Sequence, residues 1–492
     1  MLKALFAIPP NSEDRRNVGG LQAPLQSWLG FPGGWPSKLW QGRMWQRSTH
    51  WLIVSLLSYP KGNSETMKFS KQALFAKLVV ALLSVFLVQA ALAGTPSTEG
   101  FRAWIASFRA KALEKNIRAS VYDSVTRGLV PDFSLPDLDI PSKKQAEQPE
   151  FVRTPEQYLG DKSLASLAEQ GRRLFAQYKD TLIAVKTAYH IDPYILLAVW
   201  GRETAFGTFA NDSHYNALEV LATEAYAGRR KELFERQFIE GLRMVQEGVI
   251  APQDMKSSWA GAMGLVQFMP EDYFKYAVDQ DGDGKKDIWH SVPDALASLA
   301  KNLQGINWNS QHPWGLEVRA PAKVDCSLGY LDIRKPVSEW AAMGIAPVKG
   351  GEFPPEVMSW EASLLQPAGL FGPAFLTFDN FQVIREYNKS DLYALFVGNL
   401  ADRIRGGGSF SQPWQRIVQV PTSDVEDMQK RLTGLGLYGD TIDGKAGGRT
   451  RAAVGAYQKR FGLSQTCWPT AELVTHLKAH GGAQTMNERA QN

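Results

Sequence analysis

The segment from His190 to Gly207 constrains the fold most, because it places a carboxylate on the apolar face of a helix. Asp192 and Pro193 predict where that helix begins, since aspartate caps exposed N–H groups and proline suits the first helical position. Apolar residues then recur at the spacings of a helix with one buried face: Ile195, Leu196, Val199 and Trp200. Glu203 continues this stripe just before the predicted end of the helix, so its carboxylate should face a packed interior.

A carboxylate in that position loses hydration, which raises its pKa above the value of about 4.3 for an exposed glutamate. Glu203 would then keep a proton near neutral pH, as a general acid must. The local pattern alone favours a simpler interpretation, a buried glutamate paired with an arginine. Only the rest of the chain can separate these two interpretations.

Residues 67–93 are typical of a secretory signal peptide. Three lysines precede an apolar run from Leu78 to Val88, and the small residues that follow predict cleavage after Ala93. The run is shorter than a membrane span and no cysteine follows it for lipid attachment, so no stable membrane anchor is predicted. Residues 1–66 precede a complete signal, and we interpret them as a spurious or disordered N-terminal extension without an assigned function.

The charge balance argues against nucleic acid as a partner. The 492-residue chain carries 54 Lys and Arg and 50 Asp and Glu, a formal net charge of +4. Residues 1–93 hold 10 of these basic and 3 of these acidic residues, which leaves 44 and 47 and a net charge of −3. No basic excess or basic stripe remains to neutralise phosphates.

The chain after the signal divides by composition, and its fold class is predicted to be mainly α (α+β). Residues 94–405 have helical periodicity except in Pro336 to Phe381, where Gly, Pro and short apolar runs predict a small β-containing insertion. Residues 406–417 predict a flexible linker because they are rich in Gly and Ser. A compact unit follows at 418–482, and then a tail at 483–492.

The 418–482 unit has helical patterns from Asp424 to Leu432 and from Thr450 to Phe461. A unit of this size favours a binding module over an enzyme, with a structural spacer as the alternative. It contains Cys467, whereas Cys326 lies in the larger domain. Two unpaired buried thiols are therefore the favoured interpretation, and a disulfide formed in an oxidising compartment is the alternative.

The segment from Ser258 to Pro270 contains several small residues. Such residues let the backbone approach another helix or a ligand, and Gln267 offers a donor and an acceptor beside apolar neighbours. Tight helix packing would explain the same pattern. The segment from Arg385 to Tyr393 combines aromatic rings with an amide, which suits sugar rings and N-acetyl groups, although an exposed helix cap at Ser390 would explain part of it.

An acidic loop runs from Asp279 to Asp287. Oxygen ligands at positions 1, 3 and 5 with glycine at position 6 match the opening of an EF-hand calcium loop. Position 12 is His290 instead of glutamate, so Asp287 or Asp294 would have to supply the missing ligand. Any such calcium would be structural, and an acidic surface turn without metal is the alternative.

Together these segments resemble the lytic murein transglycosylases of the B type over nearly all of the chain after the signal. The motifs occur in that family's order: Gln148 to Phe151, Gly201 to Gly207, Tyr226 with Arg229 and Arg230, Ser258 to Pro270, the acidic loop, Asn380 with Phe381, and Tyr387 with Asn388 and Tyr393. The C-terminal unit is similar to type 1 peptidoglycan-binding domains in Asp443-Gly444 and Gly448 to Val454. It departs from them at Cys467-Trp468, where an Asp-Gly pair is usual.

The resemblance implies a lysozyme-like helical catalytic domain followed by a small helical peptidoglycan-binding domain. It implies cleavage of the β-1,4 bond between N-acetylmuramic acid and N-acetylglucosamine without water, with Glu203 as the single catalytic residue and no catalytic cofactor. The glycan groove would be lined by Tyr158, Ser258, Gln267, Phe268, Met269, Tyr387, Asn388 and Tyr393. Structural Ca²⁺ would be bound by Asp279, Asp281, Asp283, the Lys285 carbonyl and Asp294.

The implied location is the periplasm and the implied partner is the glycan strand of peptidoglycan. Proteins of cell-wall synthesis or hydrolysis are further candidate partners. Two other functions stay open on the sequence: a hydrolytic muramidase, in which water attacks the sugar, and a non-catalytic peptidoglycan-binding protein.

Overall fold

The computed structural model describes residues 95–140, 153–210 and 213–480. The predicted extension 1–66, the signal peptide 67–93 and the tail 483–492 lie outside these residues. Most described residues are helical, and the helices before the sheet region are α1 (Thr98–Glu114), α2 (Ala119–Thr126), α3 (Pro155–Tyr158), α4 (Asp161–Gln177), α5 (Lys179–Tyr189), α6 (Pro193–Thr204), α7 (Ala217–Ala227), α8 (Lys231–Gln246), α9 (Pro270–Tyr276) and α10 (Val292–Gly305). A short antiparallel pair, β1 (Tyr215–Asn216) and β2 (Lys256–Ser257), lies among them.

Helix α6 is the centre of this domain. It begins as predicted, with the Asp192 side chain accepting a hydrogen bond from the Tyr194 N–H at 3.0 Å and Pro193 in the first turn. The prediction of a single buried face is wrong, because every residue of α6 except Tyr194 is buried. Helices α4, α5, α10 and α13 (Asp391–Arg405) surround it, so its polar residues Arg202, Glu203 and Thr204 are enclosed as well.

The β-containing insertion is larger than its sequence pattern indicated. Five strands form an antiparallel sheet in the order β4-β6-β8-β3-β5: β3 (Gly315–Arg319), β4 (Lys335–Pro336), β5 (Ala346–Pro347), β6 (Glu361–Leu365) and β8 (Ala374–Thr377). The short strand β7 (Pro367–Leu370) and helix α11 (Val337–Ala342) complete the region. The predicted start at Pro336 is wrong, since β3 precedes it and pairs Leu316 with Leu376 of β8. The two strands are far apart in the chain, and no sequence pattern within β3 predicts that they pair.

Helices α12 (Asp379–Asn388) and α13 return the chain to the helical domain. The C-terminal unit then contains α14 (Thr422–Gly434), α15 (Gly448–Arg460) and α16 (Ala471–His480). Buried Gln429 organises it: its Oε1 accepts hydrogen bonds from the N–H groups of Asp443 and Gly444, and its Nε2 donates to Thr450 Oγ1. The helices predicted here correspond to α14 and α15, and the mainly α fold class is confirmed.

The two cysteines form a disulfide, so the prediction of unpaired thiols is wrong. Cys326 lies in a 3-10 helix of the insertion, and its Cα lies 6.0 Å from that of Cys467 in the C-terminal unit. Helix α15 packs against the 3-10 helix. A cysteine count cannot reveal this docking, which is what brings the two sulfur atoms together.

The predicted linker also has fixed contacts. The Ser411 and Gln412 N–H groups donate to the Glu317 carboxylate, and the Phe410 ring packs edge-on against Phe375 at 5.5 Å. The prediction of a flexible linker is therefore wrong at these residues, because a composition rich in Gly and Ser does not show what the backbone N–H groups can bind.

Among the described residues, no single helix is long and apolar enough to cross a membrane. The bent pair Lys179–Tyr189 and Pro193–Thr204, which meet at 112°, passes the same criterion of length and composition when taken together.

Candidate active site

Glu203 lies in the last turn of α6 with 1% of its surface exposed. The helix ends there because Ala205, Phe206 and Gly207 have positive φ angles of 47°, 57° and 89°. Thr204 Oγ1 fixes this turn, since it donates to the Leu265 carbonyl at 2.8 Å and accepts from the Gly207 N–H at 3.0 Å. The carboxylate is therefore attached to a rigid, buried helix end.

Tyr393 of α13 contacts this carboxylate directly. Its hydroxyl donates to Glu203 Oε1 at 2.5 Å, and its ring lies nearly parallel to that of Tyr387 at 6.4 Å. The Tyr387 hydroxyl donates to the Val266 carbonyl. Burial, and then the nearby Glu203 charge, raise the pKa of both phenols well above the usual value. Both tyrosines are therefore neutral hydrogen-bond donors.

The small-residue segment forms a tight turn beside Glu203. The Met263 and Phe268 backbones exchange hydrogen bonds, and Gln267 lies between them with a positive φ of 55°. Gly264 is required here, because a Cβ atom on it would lie 2.6 Å from the Ile288 carbonyl oxygen. This turn is tied to α6 through Leu265 and to α12 through Val266.

Two buried amides on these elements have atoms without hydrogen-bond partners among the described residues. These atoms are Oε1 of Gln267, whose Nε2 donates to the Gly264 carbonyl at 3.1 Å, and both polar atoms of Asn388; each residue is 1% exposed. A buried polar group left without a partner costs about 1–3 kcal/mol. Such atoms mark a place where a ligand supplies the missing hydrogen bonds.

The other predicted groove residues have different surroundings. Ser258 Oγ accepts from the Ala262 N–H at 3.2 Å and shapes the turn. Phe268 and Met269 are 0% and 5% exposed within the hydrophobic core. The Tyr158 hydroxyl accepts a hydrogen bond from Arg202 Nη2 at 2.7 Å. Their contact with a glycan stays a prediction.

Arg202 is a site residue that the sequence did not single out. It is 7% exposed, and its guanidinium lies between the rings of Tyr158 and Phe396, at 5.0 and 4.7 Å from their centroids. Burial opposes its charge, but Tyr158 and then Glu203 hold its pKa above the usual value. Its place next to Glu203 in a strongly apolar helix was the available signal, whereas its partner Tyr158 is 44 residues away.

The acidic loop brings three of the predicted calcium ligands together. Carboxylate oxygens of Asp279, Asp281 and buried Asp294 lie within 4.8 Å of one another. Asp294 accepts backbone hydrogen bonds from Gln280 and Asp287, both at 2.8 Å, which closes the loop against α10. The carboxylate of Asp283 accepts from the Lys285 N–H and lies outside this group.

Asp287, the other residue considered for calcium, has a different role. Its carboxylate accepts hydrogen bonds from the N–H groups of Trp289 and His290. Burial opposes its charge, but these hydrogen bonds hold the pKa of Asp287 below the usual value. Asp287 therefore holds the backbone in place at the C-terminal end of the acidic loop.

Known proteins share this architecture. Residues 100–402 match the family "Transglycosylase SLT domain", and residues 421–477 match "Putative peptidoglycan binding domain". The membrane-bound lytic murein transglycosylase B of Escherichia coli (strain K12) is 30% identical over 238 residues, which are 48% of this chain and 63% of that protein. The chain thus matches less than two thirds of that relative's length.

Solved structures agree with these matches. SltB3 from Pseudomonas aeruginosa in complex with NAG-NAM-pentapeptide is 40% identical with a TM-score of 0.70, over 77% of this chain and 99% of that one. Its complex with NAG-anhNAM-pentapeptide matches at 41% identity with the same TM-score of 0.70 and the same coverage of 77% and 99%. The Escherichia coli lytic transglycosylase Slt35 in complex with bulgecin A is 25% identical with a TM-score of 0.52, over 63% and 93%. The chain belongs to the transglycosylase SLT domain family and carries a C-terminal peptidoglycan-binding domain.

Proposed function

We propose that this protein is a lytic transglycosylase that cleaves the bond between N-acetylmuramic acid and N-acetylglucosamine in peptidoglycan and leaves a 1,6-anhydro end. The observation that carries the proposal is the position of Glu203, which is buried at a rigid helix end and hydrogen-bonded to Tyr393. Gln267 and Asn388 lie on the elements tied to that helix end, and Oε1 of Gln267 and both amide atoms of Asn388 have no hydrogen-bond partner among the described residues. The related SltB3 structures contain NAG-NAM-pentapeptide and NAG-anhNAM-pentapeptide, and the second carries the anhydro sugar of the proposed product.

The proposed reaction uses one carboxyl group twice. Glu203 first gives its proton to the glycosidic oxygen as the bond from C1 of the muramoyl sugar breaks. The resulting carboxylate then takes the proton from the C6 hydroxyl as that oxygen bonds to C1. Atoms and charge balance without water, and Glu203 regains its proton. Tyr393 would hold one carboxylate oxygen throughout, and the Asn388 amide would bind the acetamido group.

A hydrolytic muramidase is the main rival, and it would need a second carboxylate to activate water. Asp272 is the residue to test, because its charge and that of Glu203 both act on Tyr387. Its Oδ2 accepts from the Met269 N–H at 3.3 Å at the start of α9, which gives it a structural role. Asp272→Asn keeps a capping side chain and should leave the kind of product unchanged.

Mass spectrometry of the sugars released from purified peptidoglycan by residues 94–492 tests the proposal. We expect products lighter by one water than hydrolysis products and without a reducible end. Reducible ends as the dominant product, lost in Asp272→Asn, would establish the muramidase instead. A protein that binds peptidoglycan and releases nothing would be the non-catalytic alternative.

Location in the periplasm and action on glycan strands are part of the proposal. They are supported by the membrane-bound lytic murein transglycosylase among the relatives and by the SltB3 structure with NAG-NAM-pentapeptide. Fusing residues 67–93 to a reporter that is active only after export checks the signal, and an inactive reporter would contradict it. The mechanism requires no catalytic cofactor, and no protein of cell-wall synthesis or hydrolysis is assigned as a partner.

Structural calcium is a further part of the proposal. Three carboxylates within 4.8 Å of one another form an oxygen donor set of the kind that Ca²⁺ prefers, and Gly282 and Gly284 supply the positive φ angles of the loop. Calcium should raise the melting temperature, and Asp281→Ala should remove the rise. Asp283→Ala is the informative comparison, because it abolishes the rise only if Asp283 also binds the ion. No calcium-dependent shift in the parent protein would contradict the site.

A further inference from the structure

A cleft of about 410 Å³ lies between the catalytic domain and the C-terminal unit, and both line it. The Cys326–Cys467 disulfide joins its two sides, and Arg449 of α15 pairs with Asp332 of the insertion at 3.1 Å. Lys389 and Ser390 also line the cleft, and they directly follow Asn388 of the active site. The cleft is therefore fixed in place next to the proposed glycan groove.

Buried donors that have no hydrogen-bond partner within the described ranges line this cleft. Arg451 is 6% exposed, and its Nη1 donates to the Ala446 carbonyl at 2.7 Å. Its Nε and Nη2 have no hydrogen-bond partner among the described residues, and neither does Nε1 of Trp468, which is 3% exposed. Nη2 of Arg451 forms a long ion pair with Oδ2 of Asp391 at 3.8 Å, which is beyond hydrogen-bond distance.

The first turn of α15 also borders the cleft. Gly447 caps this 13-residue helix without a side chain. A Cβ atom on Gly448 would lie 3.6 Å from Asp391 Oδ2 and 3.8 Å from Arg451 Nη2, so the first turn faces both the Asp391 carboxylate and the Arg451 guanidinium. The N-terminal end of a helix carries a partial positive charge that favours anions.

We propose that this interdomain cleft binds a free carboxylate of the peptide attached to the glycan. The unpartnered Nε and Nη2 of Arg451 form one planar edge of the guanidinium, which matches the two oxygens of a carboxylate. Six basic side chains and four acidic ones line the cleft, so its balance also favours an anion.

The inference rests on the proposed function for its ligand, because the peptide is the part of peptidoglycan that carries free carboxylates once the lactyl group of the muramoyl sugar is amidated. A sugar without peptide keeps the lactyl carboxylate itself. Two probes therefore distinguish the lactyl carboxylate from the peptide carboxylates. N-acetylmuramic acid carries only the lactyl carboxylate, and N-acetylmuramoyl pentapeptide carries only peptide carboxylates.

Calorimetric titration of residues 94–492 with each probe tests the proposal without any need for turnover. We expect the pentapeptide probe to bind at least about tenfold more tightly than N-acetylmuramic acid, because a hydrogen-bonded charge pair in the cleft would form with the peptide carboxylate. Equal affinities, or tighter binding of N-acetylmuramic acid, would overturn the proposal. Absence of lytic activity would defeat the proposed function but leave this binding measurement intact.

Gly448→Asp is the main variant, because it places a carboxylate in the cleft at a helix start that tolerates acidic residues. It should remove the preference for the pentapeptide probe, and its melting temperature, measured alongside, reports the repulsion between the new carboxylate and Asp391 Oδ2, which lies 3.6 Å from the Cβ position of Gly448. Gly408→Asp adds the same charge at an open linker position and should keep the preference. A preference that survives Gly448→Asp would overturn the proposal.

Arg451→Lys tests the contact with the planar edge. Lysine keeps the positive charge but not the paired nitrogens, so the affinity for the pentapeptide probe should fall about tenfold. Unchanged affinity in Arg451→Lys would overturn the assignment of the carboxylate to that edge.

Discussion

The active site and the interdomain cleft both contain buried polar atoms that have no hydrogen-bond partner within the described part of the chain, but they are built in different ways. Gln267 and Asn388 belong to one domain and lie within long motifs. Arg451 and Trp468 reach their positions only because a second domain docks against the first. Ligand sites within one domain leave a pattern in the sequence, whereas a site between domains depends on contacts that no local pattern contains.

The largest expected effect lies at the active site. Glu203→Gln removes the proton donor and should lower turnover by about 10²–10⁴-fold, the usual contribution of general acid–base catalysis. Sedimentation with peptidoglycan should be unchanged, since the cleft and the C-terminal unit are intact. Glu169→Gln, at an exposed glutamate of α4, is the matched control. Parental lytic activity in Glu203→Gln would show that the catalytic assignment is wrong.

Removing the Cys326–Cys467 disulfide should affect the interdomain cleft rather than the active site. Replacing both Cys326 and Cys467 with Ser should lower the free energy of unfolding by about 2–5 kcal/mol, because the bridge closes a loop of 141 residues. Thermal unfolding with and without reductant measures the effect, and reductant should change only the parent protein. Identical unfolding of parent and variant would mean that the domains dock without help from the bridge.

Asn388→Leu should change stability and activity in opposite directions. The substitution removes an amide whose burial without partners costs about 1–3 kcal/mol, so the melting temperature should rise while lytic activity falls. Gln419 lines the interdomain cleft, and its Oε1 has no hydrogen-bond partner among the described residues. The melting temperature of Gln419→Leu therefore provides the matching measurement for the cleft. A lower melting temperature for Asn388→Leu would indicate that Asn388 serves the fold.

The smallest effect is expected at Asp402, which belongs to neither region. Burial raises its pKa from 3.8 to about 6, although Trp314 Nε1 donates to it at 3.0 Å. Between these two pH values the folded protein binds more protons than the unfolded chain, so stability falls as pH rises. Asp402→Asn should therefore gain about 1–3 kcal/mol at pH 7 and nothing below about pH 4. Equal gains at both pH values in chemical denaturation would refute this explanation.

The sequence predicted those parts of the fold that depend on local signals. Asp192 and Pro193 located the start of α6, and the position of Glu203 in the last turn followed from the period. The pairing of β3 with β8, the partner of Arg202 and the Cys326–Cys467 bridge join residues far apart in the chain. Their formation depends on which surfaces pack together, and one sequence does not contain that information in any local pattern.

The disulfide has a consequence for proteolysis. A single cut anywhere between Cys326 and Cys467 would leave two polypeptides that remain covalently joined in an oxidising compartment. The peptidoglycan-binding domain therefore could not be shed by nicking the segment that connects it to α13, and a cleaved molecule would migrate as one species until it was reduced.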